Sequence, residues 1–144
     1  MTRPCGFASL LAAMLFFPAI ACACECQPAS FEKRVQESER IFVGEVTDVS
    51  KSLLPWNKQD PHEVMLRATE AFKGEGGTVK VMDHWFCGYL FEQGKKYLVF
   101  ASKDERGSLH VYSTCGGSVP IPEREYPHLA RELGRLRELP AGVH

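Results

Sequence analysis

Three residues, Cys24-Glu25-Cys26, stand where an uncharged apolar run gives way to a charged, polar chain, and they constrain the fold more than any other feature. Upstream, Arg3 forms a short positive start, residues 6–24 carry no charge, and small-x-small sites follow at Ala19-Ile20-Ala21 and Ala21-Cys22-Ala23. This is the layout of a secretory signal peptide over residues 1–23, removed after Ala23. The mature chain is then residues 24–144 and begins with a cysteine. Left uncut, the run approaches the length of a membrane span. Processed after Ala21 instead, it exposes Cys22 for acylation, as in a lipoprotein.

Export selects the cysteine chemistry. The chain has 6 cysteines, and removal of the leader takes away Cys5 and Cys22, leaving Cys24, Cys26, Cys87 and Cys115. An even set in an oxidising extracellular or periplasmic space most simply closes two disulfides. Cys24 and Cys26 are too close in sequence to bridge each other without strain, so each reaches for a distant partner. Which takes Cys87 and which takes Cys115 is open at this level. Residues 24–144 form one domain, long enough to bury a single core. The formal net charge of the whole chain is -1, and such balance argues against nucleic acid, which calls for a basic patch. No second apolar run reaches membrane length, so no span is expected in the mature form.

Along the mature chain the pattern is mostly strand. Residues 30–39 are polar with Phe31 and Val35 four apart, which predicts a short amphipathic helix. Residues 41–49 (IFVGEVTDV) are rich in β-branched and aromatic residues and read as a strand, with Gly44 marking a bend or bulge. Residues 51–61 hold Pro55, Trp56 and Pro61 and read as a loop. Further strands are expected at 63–72, 78–82, 97–101 and 109–113. The 97–101 segment (YLVFA) is apolar on both faces and should be the most buried. Over 126–139 the spacing becomes helical, with Leu129, Leu133 and Leu136 on one stripe and both charge signs on the other side. Five strands with a short N-terminal helix and a C-terminal helix predict a mainly β fold, a small five-stranded OB-fold-like barrel on which the last helix packs.

Taken in order, Cys24-Glu25-Cys26-Gln27-Pro28, a short helix, IFVGEVTDV, Ala71-Phe72-Lys73-Gly74, Cys87-Gly88-Tyr89, residues 97–101 and Cys115-Gly116-Gly117-Ser118 resemble the N-terminal domain of the tissue inhibitors of metalloproteinases. More widely they resemble the netrin-like module and its short bacterial members. The resemblance runs from about Cys24 to Pro120 and implies the same barrel over 24–144. It also implies a pairing, Cys24–Cys87 and Cys26–Cys115.

The implied function is inhibition of a metalloendopeptidase. In that family the α-amine and carbonyl oxygen of the first cysteine ligate the protease's catalytic zinc, a role that falls here on Cys24. The zinc belongs to the target protease; no cofactor of the chain's own is implied. Glu25 would then enter the specificity pocket, Cys26 would pin the end, and Gln27 would continue along the cleft. Where animal inhibitors carry a small hydroxyl residue, this chain has Glu25, which suits a partner with a basic pocket. Gln36 stands where they carry a cysteine of a third disulfide, and the 126–139 helix takes the place of their C-terminal domain. Trp56 offers an aromatic contact to such a partner.

Other chemistry finds little purchase. His62, His84, His110, His128 and His144 show no ligand spacing and read as surface or structural histidines. No Ser-His-Asp order, P-loop or dinucleotide fingerprint is present, so an enzyme is not expected. The competing function is a netrin-like binding or envelope protein, including one acylated at Cys22, that uses the barrel as a scaffold and inhibits nothing.

Overall fold

Period-two alternation and helical periodicity divide the described residues into eight elements. The computed structural model describes residues 29–50, 62–83, 91–111, 116–124 and 126–140. In chain order these are α1 (Phe31–Glu37), β1 (Arg40–Val49), β2 (His62–Lys73), β3 (Gly77–Asp83), β4 (Lys96–Lys103), β5 (Leu109–Val111), β6 (Val119–Pro120) and α2 (Pro127–Arg137). Each expected segment is present, with its ends moved by a residue or two. Residues 112–113, expected to finish the fifth strand, lie outside the described residues. The two-residue β6 carries too little pattern to be read from sequence.

The sheet order is β1-β2-β3-β5-β4, and β4 returns to pair with β1. Five strands therefore close into a barrel, a strand order compatible with the OB-fold class. All pairings are antiparallel except β3 with β5. Beyond the reach of β5, which takes Ser102 and Lys103, β6 covers Tyr97 and Leu98 on the same side of β4.

Closure needs strongly coiled strands, and β1 supplies one. Its register against β2 shifts at three places, one of them between Val43 and Gly44. A Cβ at Gly44 would stand 2.8 Å from the Phe42 ring. The bend expected at Gly44 is thus real, and its cause is the close approach of that ring.

Strand alternation then builds two cores. Inside the barrel pack Phe42, Val46, Val64, Leu66, Val79, Val81, Phe91, Tyr97, Val99, Ala101 and Val111. On the outer face of β1 and β4, Ile41, Val43, Leu98 and Phe100 meet Leu129, Leu133 and Leu136 of α2, with Phe31 and Val35 of α1 beside them. Both faces of β4 are therefore covered, and residues 97–101 are buried throughout, as an unbroken apolar run requires. The α2 stripe packs on the barrel as its spacing predicts. Ser30 caps α1 by accepting a hydrogen bond from the Lys33 N–H at 3.2 Å. Among the described residues, no helix is long and apolar enough to cross a membrane.

Candidate functional site

The residues singled out from sequence, Cys24, Glu25, Cys26, Gln27, Trp56, Cys87 and Cys115, all lie outside the described residues, as does the cut between Ala23 and Cys24. The structure does describe the strand ends to which those segments attach. Trp56 belongs to the link between Val49 of β1 and His62 of β2, Cys87 to the link after Asp83 of β3, and Cys115 to the link after Val111 of β5. Those ends share one rim. Val49 pairs with Val64, His62 with Asp83, and Asp83 with Val111. The rim closes through the approach to β4, where the Val46 N–H donates to the Lys95 carbonyl at 2.9 Å and the Gly94 N–H donates to the Val46 carbonyl at 2.8 Å.

The N-terminal helix is oriented toward this rim. At its far end the Ser102 hydroxyl donates to the Glu37 carbonyl at 3.1 Å, and the Glu39 N–H donates to the Ala101 carbonyl at 2.8 Å. One turn earlier, the Arg34 guanidinium lies 5.0 Å from the centre of the Phe100 ring. Helix α1 thus runs in the same sense as β4, and its Ser30 end looks toward the side where β4 begins. Gly117, two residues after Cys115, packs directly against the Arg34 side chain and takes a positive φ of 84°. A side chain there would meet Arg34 in space and strain the backbone as well. Gly117 therefore lets the chain pass close to α1.

Arg34 is held by more than one group. Its Nη1 donates to Glu132 Oε1 of α2 at 2.6 Å, with both side chains largely covered, 17% and 21% exposed. Arg135 stacks over the Phe31 ring at 3.8 Å and also pairs with Glu32. Helix α2 is tied to β2 by Arg137, which donates to both Glu70 oxygens at 2.8 and 3.0 Å. The bond from Arg137 holds the Glu70 carboxyl below the usual carboxylate range. α2 so fixes α1, and with it the direction from which the chain enters at Ser30.

One residue on the rim was not singled out from sequence. Asp83 is 4% exposed and sits at the end of the inward row that includes Val79 and Val81. Its Oδ1 is buried and accepts no hydrogen bond among the described residues. Burial pushes the Asp83 carboxyl from 3.8 up to about 7. Alternation is the signal that could have found it: extended by one residue, the 78–82 strand puts position 83 on the core face with 79 and 81. Nearby, Phe91 meets Tyr97 edge-on at 4.7 Å, and the Tyr97 hydroxyl accepts a hydrogen bond from the Glu92 N–H at 3.0 Å.

The histidines in view have local roles. His110 Nε2 lies 2.8 Å from Asp104 Oδ2, and Asp104 also accepts from the Arg106 and Ser108 N–H groups, which staples the turn between β4 and β5. His128 stacks on Tyr126. Among the described residues, no group of three His, Cys, Asp or Glu side chains gathers to hold a metal. No protein-family model matches the chain, and no curated protein matches it. The resemblance to the metalloproteinase inhibitors rests on the residues that carry it.

Proposed function

We propose that the exported chain is an inhibitor of zinc metalloendopeptidases that acts through the α-amine and carbonyl oxygen of Cys24. The observation that carries this reading is the shared rim. The strand ends leading to Trp56, Cys87 and Cys115 converge on one end of the barrel, and α1 turns its Ser30 end toward the same side. A terminus anchored there by Cys24–Cys87 and Cys26–Cys115 is held stiffly against a rigid scaffold, which lowers the entropy lost on binding.

The chemistry follows from the target. A catalytic zinc keeps three protein ligands and a reactive water. A five-membered chelate from the Cys24 amine and carbonyl displaces that water and so removes the nucleophile. The amine binds unprotonated, and an α-amino group titrates near about 7.7–8.0, so inhibition strengthens as pH rises through that range. Glu25 then occupies the specificity pocket, and its carboxylate favours a target that offers a cation there. Trp56, in the link between β1 and β2, extends the contact.

The test is a one-residue extension. Alanine placed ahead of Cys24 in the processed protein moves the amine away from the carbonyl it must chelate with. Inhibition of a panel of bacterial and animal zinc peptidases should fall by at least a hundredfold, with the melting temperature unchanged. Equal inhibition by both forms, or an N-terminal sequence of the exported protein that starts at Cys22, would overturn the proposal and leave a barrel with a binding role only.

A further inference from the structure

The inward rows of the barrel are aliphatic and aromatic along most of their length, and at this rim they end in two ionisable residues, Asp83 and His62. Asp83 stands at the end of β3 with its carboxyl facing the interior, and its buried Oδ1 accepts no hydrogen bond among the described residues. From β5 it faces Val111, its cross-strand partner; His110 lies on the opposite face and is bound to Asp104. From β2 it faces His62, the residue directly paired with it and on the same inward row as Val64 and Leu66. From β4 it faces Tyr97, whose hydroxyl is engaged by the Glu92 backbone. β1 contributes only Val46 and Val49 to this face, Asp48 being exposed. On β3 itself, Lys80 points outward to Glu63. The site therefore suits a neutral carboxylic acid and is hostile to a carboxylate.

We propose that Asp83 makes this rim of the barrel pH-sensitive: as the neutral acid it allows β2, β3 and β5 to stay paired to their ends, and as the anion it opens the His62–Asp83 and Asp83–Val111 pairs. Opening is the cheap response because these are terminal pairs. Fraying one residue of each strand brings the carboxylate to water while Val64, Leu66, Val79 and Val81 stay packed. The barrel as a whole persists, and only one end responds to the difference between an acidic and a neutral medium. Such local openings draw on the weakest part of a fold. The inference stands whether or not Cys24 inhibits a peptidase.

The experiment uses the full exported chain. Carbon-13 NMR of the Asp83 carboxyl should give a midpoint near neutrality rather than near 4. Hydrogen exchange should show protection at the paired ends of β2, β3 and β5 falling about a hundredfold between pH 5 and pH 8, after correction for intrinsic rates. Central β4 amides should not follow. In Asp83→Asn the fall should shrink to less than threefold; in His62→Gln it should remain. A carboxyl midpoint near 4, a fall that survives in Asp83→Asn, or one that vanishes in His62→Gln alone would overturn the proposal. Should Asp83→Asn not fold, the carboxyl titration of the unaltered protein decides the question.

Discussion

The barrel interior and the layer beneath the two helices both bury rows of aliphatic and aromatic side chains, yet they treat charge in opposite ways. Under the helices, Arg34 is covered but matched: the carboxylate of Glu132, on the same helix as the Leu stripe, lies 2.6 Å away and an aromatic face lies at 5.0 Å. Inside the barrel, Asp83 is covered, and its Oδ1 has no hydrogen-bond partner among the described residues. The difference is one of geometry. The outer layer is assembled from long side chains on two helices that can reach one another. The described lumen side chains are mostly aliphatic and aromatic, and none of those described donates to the Asp83 Oδ1. A charge is therefore tolerated in the outer layer by pairing, and in the lumen only by losing its charge.

The largest blow to this contrast is mechanical. Phe42 is fully buried inside the barrel and also packs across Gly44 at the β1 bend. Phe42→Ala should cost about 4 kcal/mol in denaturant unfolding, because the cavity opens where β1 coils and cannot collapse. The corresponding truncation at Leu133, under α2, should cost less, since a surface helix can settle inward.

Next in size is Asp83. Its native carboxyl titrates at about 7, above the unfolded value of 3.8. Between those values the native state holds a proton that the unfolded state has released. Stability therefore falls as pH rises from about 4 to about 7 and levels off beyond. Asp83→Asn removes this slope and should gain up to about 4 kcal/mol at pH 8, while gaining nothing below pH 4. Urea melts across that range measure it. A pH-independent difference between the two proteins would mean that packing, not charge, separates them.

Arg34→Ala should have the reverse character. It strands Glu132 and exposes the Phe100 face, and should cost about 2 kcal/mol at neutral pH, intermediate between surface and fully buried pairs. The loss should respond weakly to salt, because both partners are mostly covered. Double-mutant cycles with Glu132→Gln separate the ion pair from the ring contact. Smallest is Glu70→Gln. Its bond to Arg137 lowers the Glu70 carboxyl, so the contribution is present at neutral pH and fades as pH falls through the carboxylate range. The pair is more than a third exposed on both sides, and the change should stay within about 0.5 kcal/mol.

What the amino-acid order by itself determined is local: two periodicities, a glycine where β1 must bend, an unbroken apolar run at 97–101 that demanded cover on both faces, and a leucine stripe that demanded a barrel to lie on. From these the mainly β class, both helices and the five strands were legible, because each depends on neighbours within a few residues. Tertiary structure alone decided the rest. The two residues of β6 become a strand only because β4 offers an unpaired edge. Arg34 meets Glu132 only because two helices far apart in sequence share one face. Asp83 is an ordinary polar residue after a short strand until β2, β4 and β5 close around it and remove its water. Desolvation and charge pairing are sums over atoms brought together from distant parts of the chain, so no window of sequence contains them.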